Sequence, residues 1–200
     1  MSQIEIIHLS LKDYCEFLGD SNYYFRNNAT SRMYIKDNKI WKFDDWEFFS
    51  PESPVIDYRK ELERLNVNVP RELIYLEDNY VGYTISFING FDLSTPVYPL
   101  RILEFISKDA LYDSYQQAKE HLNEIGELGF DISVDLNDRN IMFDFDTHQF
   151  YFIDFDFWKY YELDTQNNTE DLMMLKKIKK ANGKRFEHAI VRSKILEKVI

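Results

Sequence analysis

The chain has 200 residues, a net charge of -11, a hydrophobic fraction of 44% and an aromatic share of 16%. That length supports one domain with a real core or two small lobes, and the acidic balance argues against general nucleic-acid binding. The lone Cys15 excludes an intramolecular disulfide or a multi-cysteine metal site and reads as a buried thiol. The start MSQIEIIHLSLK lacks a basic then apolar leader and no stretch nears the ~18 apolar residues of a membrane span, so the expected setting is a cytoplasm.

In chain order, SRMYI, a KDNK turn and IWKF predict a hairpin from about Arg32 to Phe43. Ser53 followed by Pro54 starts a helix of about three turns, with Val55, Tyr58, Leu62 and Leu65 on one face. LIYL, an EDN turn and YVGYTISFI give two further strands, the second ending at Asn89-Gly90. After Pro96 and Pro99 the pattern turns helical, and Leu111, Tyr115, Ala118, Leu122, Ile125 and Leu128 form a stripe closed by Gly129. IMF, a DFDTH turn and FYFI then predict a tight hairpin, and the remainder from Thr169 is helical with a break at Asn182-Gly183.

The stretch DISVDLNDRNIMFDFDTHQFYFIDFD, residues 131 to 156, places Asp135, Asn140 and Asp154 among many other acids. Asp135 and Asn140 suit turn caps as well as ligands. Asp154 lies between aromatic runs, where a carboxylate is costly without a cation nearby. Asp144, Asp146 and His148 read as a solvated hairpin tip. His8, His121 and His188 have no partner at ligand spacing, which argues against zinc. Upstream, Lys42 ends a strand and reads either as a surface cation or as a phosphate partner. Glu61 reads as an exposed partner of Arg64 or as an inward carboxylate. The end of the chain is basic, with nine Lys or Arg against two Glu between Lys176 and Lys198, and is either a solvated helical face or a dock for an acidic partner, for anionic lipid or for the protein's own acidic body.

Phosphoryl transfer needs phosphates held, charge neutralised by metal and an acceptor hydroxyl aimed in line. DLNDRN, residues 135 to 140, resembles the D-L-x-x-x-N catalytic loop of protein kinases; Asp154-Phe155 resembles their D-F-G region and IWKF their V-A-I-K strand. The resemblance implies an α+β, two-lobed protein kinase-like fold with a β-rich N-lobe over about residues 1–90 and a truncated helical C-lobe over about 91–200. It implies ATP and Mg²⁺, with Asp135 as catalytic base, Lys42 on the phosphates oriented by Glu61, and Asn140 and Asp154 as metal ligands. Met33 and Ile40 would roof adenine, Ile85 would be the gatekeeper, Ser86 to Ile88 the hinge and Asp92 a ribose contact.

Asp156 replaces the expected Gly and resembles the I-D-F-D of aminoglycoside and choline kinases, which makes it a candidate second metal ligand. RNNATSR, residues 26 to 32, stands where a Gly-rich loop is expected and contains no Gly, and Ser133-Val134 replaces the usual His-Arg. Only 46 residues follow Asp154, without an A-P-E motif. With Asn137 and Tyr160-Tyr161, this is similar to the minimal effector kinases of the OspG class and their NleH relatives. That likeness implies a Ser/Thr protein kinase with a protein substrate, secreted into a host cytoplasm. It also implies an activating ubiquitin-conjugating enzyme, for which the basic C-terminal helices are the candidate dock. A small-molecule phosphotransferase and a binding module without turnover are the alternative readings.

Overall fold

The computed structural model describes residues 4–20, 23–27, 31–44, 49–95, 101–195 and 197. The chain divides into two compact units, Met1–Lys60 with Asn68–Phe87, and Glu61–Val67 with Ile88–Ile200. The first is built on a six-stranded sheet and the second is mainly helical.

In the first unit the strands are β1 (Glu5–Leu9), β2 (Tyr24–Asn27), β3 (Ser31–Lys36), β4 (Lys39–Asp44), β5 (Glu72–Leu76) and β6 (Asn79–Ser86), in the spatial order β1, β5, β6, β4, β3, β2. The predicted hairpins are there. Asp37 and Asn38 both take positive φ, 53° and 58°, between β3 and β4, the conformation a two-residue turn requires and Asn and Asp tolerate. Residues 28–30, in the stretch expected over the phosphates, lie outside the described residues, as do Pro96 and Pro99.

Among the elements not anticipated are β1 and α1 (Leu11–Gly19). β1 pairs parallel to β5 at the sheet edge, and α1 packs on one sheet face. A capping box starts α1: Ser10 accepts from the Asp13 amide, and Asp13 accepts from the Ser10 amide at 3.3 Å. Phe17 then enters a cluster with Tyr34, Trp41, Phe43 and Ile74, with ring centroids 5.0 Å from Trp41 and 5.4 Å from Tyr34. Cys15, expected inside, is exposed because this helix turns Phe17 to the sheet instead.

The helix expected after Ser53 is two short pieces, α2 (Pro54–Asp57) and α3 (Arg59–Arg64), interrupted at Tyr58, whose φ and ψ of -93° and 14° leave the helical region. Ser53 still caps the start, accepting from the Val55 amide, and Val55, Leu62 and Leu65 are buried as the periodicity predicts.

The second unit contains α4 (Lys108–Glu127), capped by Ser107, and α5 (Thr169–Ser193). It also has a sheet of β10 (Phe150–Phe152), β9 (Ile141–Asp144) and β7 (Gly90–Asp92), and a ribbon of β11 (Lys159–Tyr160) on β8 (Phe130–Asp131). Gly90 faces β9 so closely that a Cβ there would lie 1.9 Å from the Phe143 carbonyl oxygen, which only glycine permits. Phe186 of α5 is fully buried against Tyr115 of α4 and against Phe150 and Phe152 of β10.

The basic α5 is thus a core helix. It buries Ile178, Asn182, Phe186, Ala189 and Ile190 and pairs Lys179 with Glu127 at 2.7 Å and Lys119 with its Glu187 at 3.4 Å. It runs without the break expected at Asn182-Gly183. Asn182 is fully buried, and its amide accepts from the Ile132 amide at 3.0 Å and donates to the Phe130 carbonyl at 3.1 Å, which fixes the residue inside the helix rather than at a cap.

Asn182→Leu keeps the volume but orphans two buried backbone groups, so we expect a loss of about 1–3 kcal/mol per group, read by urea unfolding. His121, buried on α4 with Nδ1 unpartnered among the described residues, has its pKa lowered by burial, against Glu124 and Glu120, which raise it, while Arg64 adds to the lowering. The folded state therefore binds fewer protons than the unfolded one. Stability should decline as pH falls below the ordinary value of 6.5, and His121→Leu should flatten that slope in thermal melts across pH.

Candidate functional site

In the first unit, strand register decides which side chains share a face. Met33 pairs with Lys42, Lys42 with Tyr83, and Ile40 with Ile85. Alternation along a strand therefore puts Met33, Ile40, Lys42, Tyr83 and Ile85 on one face, and Tyr34, Trp41 and Phe43 on the face that α1 covers. The first face is only partly filled: Met33, Ile40 and Ile85 are half-buried.

Lys42 is 2% exposed on an interior strand, which overturns its reading as a surface cation. Burying an ammonium is unfavourable without compensation, and its Nζ lies 5.3 Å from the centroid of Tyr83, whose ring faces the charge. Tyr83 was not visible in the sequence; only the register between β4 and β6 brings it to Lys42. Gly82, next to it, approaches so closely that a Cβ would lie 2.1 Å from the Lys42 carbonyl oxygen.

The expected hinge is partly engaged within the protein. The Ser86 carbonyl accepts from Asn68 Nδ2 at 2.9 Å and its hydroxyl from Arg71 Nε at 2.9 Å, while the Ile88 carbonyl accepts from the Gly90 amide at 3.0 Å. Asp92 uses Oδ1 to accept from the Ser94 amide at 3.0 Å in the turn after β7. Glu61 lies on the exposed side of α3 beside buried Leu62, and Arg64, its alternative partner, pairs with Glu124 at 2.6 Å.

In the second unit, the chain leaves β8 in a turn in which the Asp135 and Leu136 amides donate to the Ile132 carbonyl at 3.2 and 2.9 Å. The Asp135 carbonyl then accepts from two side chains, Asn137 Nδ2 at 2.8 Å and Asn140 Nδ2 at 2.9 Å. Asn137 Oδ1 accepts from the Arg139 amide at 2.9 Å, completing the loop. The Asn140 carbonyl accepts from the Ile153 amide at 3.0 Å, so the residue before Asp154 is tied to the loop that carries Asp135. Three residues singled out from the sequence, Asp135, Asn140 and Asp154, are thus held on one hydrogen-bonded frame.

Asp154 is half-buried with φ at 61°, the left-handed region, which Asp tolerates better than most residues but which still costs energy. Asp156, half-buried, follows in a turn closed by the Trp158 amide on the Phe155 carbonyl at 3.1 Å. β11 begins at Lys159 and returns to β8, and the Tyr161 amide donates to the Gly129 carbonyl at 2.9 Å. Gly129 has φ of 91° and no room for a Cβ against Tyr161.

Other acids of the stretch are structural. Asp144, expected to be solvated, is 7% exposed and caps the hairpin by accepting from the Asp146 and Thr147 amides and the Thr147 hydroxyl. Asp131 accepts from the Ser133 amide and hydroxyl. The residue that sequence reasoning missed is Asn182, which holds the backbone on both sides of Asp131; its signal, an Asn at the spacing of the buried α5 stripe, was read as a break.

With Nδ2 of Asn140 bonded to the Asp135 carbonyl, its Oδ1 is the oxygen that would be left for a hard cation, the donor type that Asp154 would also supply. Among the described residues no three His, Cys, Asp or Glu side chains cluster.

No family model and no curated protein matches this sequence. Among solved structures, the crystal structure of the BubR1 kinase domain matches with a TM-score of 0.50 at 14% identity, over 72% of this chain and 48% of that one. The chain therefore spans about half the length of that kinase domain. At such identity the match speaks to the backbone, and it shows a protein kinase-like fold with a β-rich N-terminal part and a helical C-terminal part.

Proposed function

We propose that the chain is a minimal, atypical Ser/Thr protein kinase that transfers the γ-phosphoryl group of ATP to a protein hydroxyl. The observation that carries this reading is the frame in the second unit: Asn137 and Asn140 converge on the Asp135 carbonyl while Asn140 also holds the residue before Asp154. A pair of solvated turns has no need for both bonds; a reaction that aligns a base with metal-bound phosphates does.

In this reading Lys42, buried and fixed over Tyr83, pairs the nucleotide phosphates, and Glu61, exposed on α3, would have to turn inward to orient it. Met33, Ile40 and Ile85 supply the apolar surface for adenine, Ser86 to Ile88 the backbone beside it and Asp92 the ribose contact. Asn140 and Asp154 hold Mg²⁺, with Asp156 as a further ligand; the cation would neutralise phosphate charge as it moves to the leaving oxygen. Asp135 accepts the proton of the attacking hydroxyl. Exposed lysines of α5, such as Lys176, Lys177, Lys180 and Lys184, are the candidate dock for an activating partner such as a ubiquitin-conjugating enzyme.

A second reading, transfer to a small molecule, is favoured by Asp156 in place of glycine. A third, a binding module without turnover, is favoured by the internal bonds at the Ser86 and Ile88 carbonyls.

Incubation with Mg²⁺ and radiolabelled ATP, alone and with cell lysate, tests all three. We expect labelled protein, with Asp135→Ala lowering transfer by about 10²–10⁴-fold while keeping the Mg-ATP thermal shift, and Asp154→Ala removing both. Label on small molecules alone would move the assignment to the second reading. Absence of both label and thermal shift would overturn catalysis.

A further inference from the structure

α5 is buried on one side only. Its Ile178, Asn182, Phe186 and Ala189 face the core. The opposite side carries Met173, Lys177, Lys180, Lys184, His188 and Val191, which follow one another at spacings of 4, 3, 4, 4 and 3 and are all exposed. Such spacing keeps side chains in one row along a helix, and at ~1.5 Å per residue the row is about 27 Å long.

Two independent features set this row apart. The first is uncompensated charge. Lys179 of the same helix pairs with Glu127, and Glu187 with Lys119. Lys177, Lys180 and Lys184, with Lys176 and Arg185 beside them, have no ion pair among the described residues. Lys176, Lys180 and Lys184 stand four residues apart, and like charges at that spacing weaken a helix. In a chain of net charge -11 this repulsion is concentrated on one face instead of being neutralised. The second feature is apolar exposure: Met173 and Val191, near the two ends of the row, are 56% and 62% exposed.

We propose that this row adsorbs to the surface of an anionic lipid bilayer. Each lysine held near a negative leaflet favours contact by about fivefold, and Met173 and Val191 enter the headgroup region at either end. Among the described residues no helix is long and apolar enough to cross a membrane, so the contact is peripheral. An acidic protein is the rival occupant of these lysines, and the make-up of the row favours lipid. Specific carboxylate recognition uses the planar fork of Arg, whereas Lys, a mobile point charge, suits a diffuse anionic surface. The row itself holds three Lys and no Arg. Its apolar ends sink into a bilayer without needing matched pockets, and nucleic acid supplies the charge without an apolar layer. The proposal does not rest on the phosphotransfer reading.

The test is co-sedimentation of the full chain with vesicles of phosphatidylcholine, alone or with about 30% phosphatidylserine, beside titration with a soluble poly-glutamate peptide. We expect binding to the serine vesicles that falls steeply with salt, and none to phosphatidylcholine alone. Lys177→Gln, Lys180→Gln and Lys184→Gln together should weaken it about 10²-fold, with a melting temperature equal or higher because like-charge repulsion is relieved. Met173→Ser with Val191→Ser should weaken vesicle binding severalfold and leave affinity for poly-glutamate unchanged. No binding to the serine vesicles at about 1 mM lipid, equal binding to both kinds of vesicle, or an unaltered affinity in either multiple variant overturns the proposal. Capture of poly-glutamate with the serine vesicles left free assigns the face to an acidic protein instead.

Discussion

One side-chain amide organises the second unit. Asn182 is fully buried in α5, and its two hydrogen bonds hold the Phe130 carbonyl and the Ile132 amide on either side of Asp131. Everything that follows in the chain, the turn into Asp135, the Asn137 and Asn140 bonds, and the return of β11 to β8, starts from that fixed strand end. Buried amides of this kind have to satisfy both ends or they destabilise the core, and here both ends serve the backbone that presents the candidate base.

The first unit solves a different problem, that of a sheet with two unlike faces. Aromatic packing of Phe17 on Trp41, Tyr34 and Phe43 gives one face its stability. The other face keeps a buried ammonium, two half-buried isoleucines and a half-buried methionine, a surface apolar enough for a ring and charged enough for an anion. The division follows from alternation along β4, where Trp41 and Lys42 are neighbours in sequence and point to opposite sides.

Much of this was legible in the sequence because it rests on local chemistry. Three hairpins and the long α4 stripe are carried by turn residues and periodicity that act within a few positions. The misreadings occurred where distant contacts decide. β1 is a short edge strand without clean alternation, and its partner β5 lies more than sixty residues away. Tyr58 interrupts a helix whose apolar spacing is nevertheless kept. Asn182 carries a residue type that favours turns, but its tertiary bonds hold it inside a helix; Asp144 is a local exception, assigned to water although it closes its own hairpin through bonds from Asp146 and Thr147. The sequence showed the acids; it did not show that Lys42 is an interior residue or that Tyr83 lies beneath it.

The bond from Asn182 to the Ile132 amide also sets how motion passes through the unit. A backbone hydrogen held by a side chain of another element is released only when that element moves, so the Ile132 amide exchanges with solvent at the pace at which α5 loosens. The C-terminal helix and the loop after β8 thus open as one cooperative piece, and whatever grips the outer face of that helix slows the fluctuation of the loop without touching it.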